Sequence, residues 1–359
     1  MAQLRSMRLL IAGGGTGGHL SPALAIAEAF RAAAPEGELL MVGKVGGLEE
    51  RLVPEAGLTL KTIRISGLNR DHLWRNLVLP VVIPTAFSQG VKVVERFRPD
   101  VILGVGGYVM APVIYGAQRR KVPYVLAVFE ASGLANRMFR GRASAACVTF
   151  PEDVAAFPTP QTVLTGYPLR PGFSPRNVEI PPRRLLILGG SQGARQINRV
   201  VWAALPELLK RFEEVIHQTG DQGEVTAAQL KVPGYRPIAF SREMPRLLAE
   251  ADLVIGRAGV GTIAEVTAVG LPMILIPGTF GSGHQEKNAK AVAKAGAAVA
   301  IADQELTPVR LLATIDSLDG AKLHGMASAS AGLGRPQAAA AIVEVLQRVA
   351  MYRGREGNC

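Results

Sequence analysis

Cysteine is nearly absent from this chain of 359 residues, with Cys147 and Cys359 the whole complement. Two cysteines exclude a disulfide framework and a cysteine-rich zinc site, and they fit a reducing cytoplasm. Aromatic residues amount to 5%, and no zinc-finger or single-strand-binding signature occurs, so no nucleic-acid partner is expected. No apolar run reaches the ~20 residues that span a bilayer. The nearest approach, Leu73 to Pro84, is interrupted by Arg75, Pro80 and Pro84. No signal peptide is visible either, because Arg8-Leu9-Leu10-Ile11 already reads as a first strand. Asp-x-Asp does not occur, so a nucleotide diphosphate held on a metal by such a pair is not expected. No cofactor is expected to be required, a divalent cation being at most stimulatory. Acidic residues are outnumbered 29 to 40 by basic ones, a net charge of +11. That excess suits an anionic substrate, an anionic membrane surface, or a merely solvated exterior, and charge alone does not choose among them.

Glycine is what the chain has in quantity, and its placement is informative. Leu9-Leu10-Ile11-Ala12-Gly13-Gly14-Gly15-Thr16-Gly17-Gly18 returns as Leu185-Leu186-Ile187-Leu188-Gly189-Gly190-Ser191-Gln192-Gly193-Ala194, identical at six positions. Each copy is an apolar run, a glycine turn and then a stretch at helical spacing. That is the strand–turn–helix start of a parallel α/β domain, whose amides meet an anion at a helix N-terminus. Apolar runs alternating with helical stretches such as 21–34 and 86–97 continue through both halves, so two doubly wound parallel sheets facing a cleft are expected. Gly166–Pro182, rich in Pro and Gly and without periodicity, reads as the linker.

A dinucleotide site at the first glycine turn is disfavoured, because the second strand closes on Val42-Gly43-Lys44 with no acidic residue for a ribose. The turn is not a P-loop, because His19-Leu20 stands where Lys-Ser/Thr is needed. It can still hold an anionic or hydroxylated group. His19 lies in the first turn of the next helix, and the unperturbed pKa of a histidine suits a general base at neutral pH; capping or packing is the plainer role for such a histidine. In the second half, Arg257-Ala258-Gly259-Val260-Gly261-Thr262-Ile263-Ala264-Glu265 follows a strand and opens a helix. Free amides there, with Arg257, suit a diphosphate, and Glu265 suits a pair of ribose hydroxyls or simply the helix dipole. Gly278–Gly283 followed by His284-Gln285-Glu286-Lys287-Asn288 reads as a flexible loop whose amide side chains suit sugar hydroxyls.

Six blocks in order carry a resemblance. They are Gly14–His19, Gly104–Val109, Gly189–Arg195, His217–Gly220, Ala251–Gly259 and Asn288-Ala289. They resemble the signature blocks of the MurG family of N-acetylglucosaminyltransferases, which convert lipid I to lipid II in peptidoglycan synthesis. The resemblance implies the GT-B glycosyltransferase fold. It implies an acceptor and membrane-facing domain at 1–165, joined by a returning C-terminal helix at 340–355, and a UDP-GlcNAc domain at 166–339. Its binding positions fall on Thr16, Gly17, Gly18, Arg170, Ser191, the Ser241 backbone, Met244, Val260, Gly261, Thr262, Ile263, Ala264, Glu265 and Gln285. Partners so implied are UDP-GlcNAc, lipid I and anionic inner-leaflet phospholipid, at the cytoplasmic face of the bacterial inner membrane. Two departures stand out: Tyr167 replaces the family's Asn, and Ala127–Ser132 lacks its His-Glu-Gln-Asn run. Another GT-B enzyme, such as a natural-product glycosyltransferase or a UDP-GlcNAc 2-epimerase, would share the nucleotide site. A non-catalytic protein using the basic charge is the reading from another class.

A membrane patch has its own candidate. Leu73, Trp74, Leu77, Val78, Val81 and Val82 recur so as to line one side of a helix, with Arg70 and Arg75 beside them and Arg137, Arg140 and Arg142 on the same domain. An interfacial patch and an ordinary buried helix both fit this spacing, and Pro80 and Pro84 count against any helix.

Overall fold

Continuous runs of Leu, Ile and Val make strands that are covered on both faces, the pattern of parallel sheets packed between helices. A computed structural model of the chain describes residues 6–14, 17–65, 79–129, 133–157, 161–190, 194–220, 232–241, 243–279 and 283–356. The chain divides into two compact units, Met1–Pro171 with Gln337–Cys359, and Gly172–Pro336.

Unit 1 runs β1 (Arg8–Ala12), α1 (Gly17–Ala33), β2 (Glu38–Lys44), α2 (Glu49–Glu55), β3 (Thr59–Ile63), α3 (Leu79–Phe97), β4 (Val101–Gly104), α4 (Met110–Arg119), β5 (Tyr124–Val128), α5 (Leu134–Phe139), β6 (Ala145–Val148), α6 (Pro151–Ala156) and β7 (Thr162–Leu164). Its parallel sheet has the order β3-β2-β1-β4-β5-β6-β7. Leu9 lies beside Leu39 on one side and Val101 on the other. Unit 2 runs β8 (Arg184–Leu188), α7 (Arg195–Leu208), β9 (Glu214–Gln218), β10 (Tyr235–Ile238), α8 (Met244–Glu250), β11 (Leu253–Gly256), α9 (Val260–Val269), β12 (Met273–Leu275), α10 (His284–Lys294), β13 (Ala298–Ala300), α11 (Pro308–Asp316) and α12 (Gly320–Leu333). Its parallel sheet has the order β10-β9-β8-β11-β12-β13. The repeated block therefore marks β1 and β8, the strand in each sheet next to which the winding reverses.

The last helix, α13 (Ala338–Glu356), packs on α1 and on the strands of unit 1, burying Ile342, Val343, Val345 and Leu346. The division between units falls after Pro171 rather than after 165, and the cause is local. Thr165 and Gly166 donate their amides to the Val148 carbonyl, and Tyr167 through Leu169 are buried. Only the rest of the expected linker leaves unit 1.

Two expectations need correction. Pro80 and Pro84 do not prevent a helix. Pro80 sits in the first turn of α3, where its missing N–H has no partner to lose. Beyond Pro84, the Thr85 hydroxyl donates back to the Val81 carbonyl at 2.7 Å, keeping that turn closed. Residues 284–288, expected as loop, form the first turns of α10. Gly283, with φ +77°, makes the turn into it, a conformation that glycine adopts without strain. Among the described residues no helix is long and apolar enough to cross a membrane.

Candidate active site

In an open parallel sheet the ligand crevice lies beyond the strand C-termini where the winding direction reverses. Unit 1 reverses between β1 and β4. The two loops there meet backbone to backbone. A Cβ on Gly13 would lie 2.8 Å from the Gly106 carbonyl oxygen, and one on Gly107 would collide with the Gly14 carbonyl. Gly106 has φ +100° and packs close to the His19 ring, so that a Cβ there would be 2.7 Å from Cδ2 and 2.8 Å from Nε2. His19 is thus set by α1 and by the loop after β4, half-buried beside the glycine turn.

Beneath the turn sits a residue that sequence reading missed. Glu49, first residue of α2, is fully buried, and Cβ atoms on Gly14, Gly43 or Gly47 would run into its side chain. The ring of glycines around a single Glu is the only local signal of it. Gly17 and Gly18 open α1, Thr16 lies outside the described residues, and Arg170 is half-buried at the end of unit 1. Tyr167 is tied into this site too. Its phenol donates to the Gly18 carbonyl at 3.0 Å, and its ring stands edge-on to Phe129 with centroids 5.0 Å apart. Residues 130–132, which include Glu130, lie outside the described residues.

Unit 2 reverses between β8 and β11. The loop after β8 begins Gly189-Gly190; Ser191 lies outside the described residues. The loop after β11 carries Arg257 to Gly259, and α9 starts with Gly259 as N-cap and no side-chain cap. The amides of Val260, Gly261 and Thr262 therefore keep their donors for an anion, with the helix dipole behind them. Glu265 follows on the same helix, half-buried. Ile263 points into the core at 3% exposure, so only its backbone faces outward.

Arg257 does not stand alone. Its Nη1 donates to Asp303 Oδ1 at 2.5 Å and to the Ile276 carbonyl at 3.2 Å. Gln196, in the first turn of α7, donates to the Asp303 carbonyl. Asp303 thereby joins segments that follow β8, β11, β12 and β13. Sequence reading missed it, because nothing local marks an Asp 46 positions from its partner. The amides expected to face sugar hydroxyls hold backbone: Gln285 Oε1 accepts from the Gly278 N–H at 2.7 Å, and Asn288 Nδ2 donates to the Ala258 carbonyl at 3.0 Å. Both thus shape the loops after β11 and β12. Ser241 Oγ accepts from the Glu243 amide at 3.0 Å, and Met244, buried, opens α8.

Behind the β8–β9 ends lies a closed polar chain. Asn198 Nδ2 donates to the Thr219 carbonyl at 2.8 Å, which turns Oδ1 toward His217 Nε2 at 3.1 Å. Nε2 must then carry the proton, so Nδ1 accepts from the Tyr235 hydroxyl at 3.0 Å, and that oxygen accepts from Trp202 Nε1 at 2.9 Å. Every donor in the chain meets an acceptor only while the imidazole is neutral. Burial pushes the His217 pKa from 6.5 down to about 3.

The glycosyltransferase family 28 N-terminal domain matches residues 9–146, and the C-terminal domain of the same family matches residues 184–342. A Moorella thermoacetica protein named UDP-N-acetylglucosamine--N-acetylmuramyl-(pentapeptide) pyrophosphoryl-undecaprenol N-acetylglucosamine transferase is 41% identical, over 95% of this chain and 98% of its own. The Lactiplantibacillus plantarum protein of that name is 35% identical, over 96% and 99%. The crystal structure of Acinetobacter baumannii MurG superimposes with a TM-score of 0.78 at 28% identity, over 95% of this chain and 99% of that one. The kitacinnamycin glycosyltransferase, at 18% identity and a TM-score of 0.71, shares the fold.

The His217 chain makes a prediction. The folded-state pKa lies below the unfolded one, so between about 3 and 6.5 the unfolded chain binds the extra proton. This contribution is complete above pH ~6.5 and declines by ~1.4 kcal/mol per unit as pH falls through that window. Urea unfolding between pH 7 and 4.5 should show a steeper fall in stability for the unsubstituted chain than for His217→Gln. Equal slopes would contradict the assignment.

Proposed function

The chain belongs to glycosyltransferase family 28 and transfers N-acetylglucosamine from UDP-N-acetylglucosamine to N-acetylmuramyl-(pentapeptide) pyrophosphoryl-undecaprenol, and we propose that unit 2 holds the donor and unit 1 the acceptor. The observation that carries the division is the uncapped start of α9 beside Arg257, at the reversal point of the second sheet. Its amides and the guanidinium receive the diphosphate, and Glu265 receives the ribose hydroxyls. In unit 1 the glycine turn takes the pyrophosphate of the lipid-linked acceptor, and His19 stands beside it.

The transfer is a single displacement. The acceptor hydroxyl oxygen attacks the anomeric carbon while His19 takes the hydroxyl proton. The bond from that carbon to the UDP oxygen breaks, its electron pair leaves with UDP, and the α-linkage of the donor becomes β in the product. Amides and Arg257 stabilise the charge on the departing diphosphate, so no divalent cation is obligatory.

Incubation with UDP-GlcNAc and lipid I should yield the lipid-linked disaccharide, in EDTA as well as without it. No product would refute the reading. His19→Ala should lower kcat by ~10²–10⁴ with UDP affinity unchanged. Glu265→Ala should weaken UDP binding by ~1.5–3 kcal/mol, the loss expected for a hydrogen bond to a charged group. Undiminished kcat in the first, or undiminished affinity in the second, removes that residue from its role.

We propose that unit 1 meets the inner membrane surface, on its cytoplasmic side, because the acceptor carries a lipid tail. Leu73, Trp74, Arg75 and Leu77 lie outside the described residues, but the patch continues onto α3. Val81 is 71% and Ile83 42% exposed. A groove of about 700 Å³ between α3 and α4 is lined by Ile83, Phe87, Val91 and Tyr115 together with Lys92, Arg119 and Glu95. Apolar side chains beside cations suit the headgroup boundary of anionic lipid. Val81→Ser with Ile83→Ser should reduce binding to vesicles containing phosphatidylglycerol while leaving the melting temperature unchanged. Undiminished vesicle binding would move the contact elsewhere.

A further inference from the structure

Proline occupies the second turn of α1, and its consequence falls on the site. In an α-helix the carbonyl of residue i accepts from the amide of residue i+4. For Gly18 that residue is Pro22, which has no N–H. The carbonyl is instead met from far along the chain, by the Tyr167 hydroxyl at 3.0 Å. Water can reach exposed Gly18, yet water would not fix its direction. A phenol can, because the ring behind it is held: Tyr167 is 6% exposed, Phe129 is 5%, and the two meet edge to face at 63°. Gly18 is the immediate neighbour of His19, whose ring has the Gly106 backbone against it.

We propose that Tyr167 is the positioning residue for His19, its hydroxyl supplying the hydrogen bond that Pro22 cannot. The two places where this chain departs from the family pattern are then one device. Phe129 comes from the altered loop and Tyr167 from the altered Gly-Tyr-Pro segment, and each fixes the other. The phenol holds the first turn of α1, so the imidazole meets the acceptor hydroxyl from a set direction. Tyr167 does not touch substrate in this arrangement. Its effect reaches the reaction through Gly18, and so it falls on turnover rather than on donor binding.

The inference rests on the reading of His19 as the base, and the test separates the two. Tyr167→Phe keeps the ring and its edge contact and removes only the O–H. Turnover should fall about five- to tenfold, the scale of one lost hydrogen bond, while KM for UDP-GlcNAc and UDP affinity stay unchanged. Pro22→Ala returns the missing amide hydrogen to the helix. In that background the same Tyr167→Phe change should cost less than about twofold. An unchanged kcat in Tyr167→Phe, or an equal loss in both backgrounds, would overturn the proposal. If instead His19→Ala retains full turnover, the base assignment itself falls.

Discussion

The constraint on which unit 1 depends is the close approach of the loops that leave β1 and β4, at glycines that have no room for a Cβ. Gly13 and Gly14 leave β1 and Gly106 and Gly107 leave β4; a Cβ on Gly13 would meet Val105 and the Gly106 carbonyl, one on Gly107 the Gly14 carbonyl, one on Gly14 the Glu49 side chain and one on Gly106 the His19 ring. That approach brings the two loops together at the reversal point, sets Gly106 close to the His19 ring and leaves Glu49 buried underneath. Unit 2 solves the same problem by other means. The loops after β8 and β11 are joined by charge and by side-chain amides, through Arg257, Asp303, Gln196 and Asn288. The difference is chemically sensible. On the proposed reading, the diphosphate in unit 2 would be met by a permanent cation held in place, and proton abstraction in unit 1 by an imidazole whose direction is fixed.

Much of the fold was legible because it is written in local pattern. The repeated block named the central strand of each sheet, and burial on both faces explains why those strands read as unbroken apolar runs rather than alternating ones. The start of α9 was legible for the same reason: strand, Gly259 and helix are contiguous. Pro80 misled, because a proline is costly inside a helix and harmless in its first turn. The His284 segment misled because glycines before it looked like a loop continuing, when Gly283 was the turn into α10.

What escaped was long-range. Tyr167 bonds to Gly18 across 149 positions, and Arg257 finds Asp303 across 46. Neither partner carries a periodicity or a spacing that points to the other. Gln285 and Asn288 were recognised as amides suited to a sugar, but the backbone contacts they make in this structure, Gln285 with Gly278 and Asn288 with Ala258, have no local sequence signal. Composition shows that an amide is present; only the surrounding main chain decides what it bonds. His217 belongs to the same class: its sequence block shows only that a histidine is present, and burial with the Tyr235 and Asn198 hydrogen bonds makes it a neutral structural link.

The central claim is that the donor nucleotide is bound by the strand ends of unit 2, at the β8–β11 reversal point. Amide hydrogen exchange with and without saturating UDP reads this directly, residue by residue. The account predicts that protection is strongest at Val260–Glu265 and at the start of α7, with the Asp303 segment following, and weak across Gly13–His19. Strongest protection at the β1 and β4 loops of unit 1, with α9 unchanged, would contradict it.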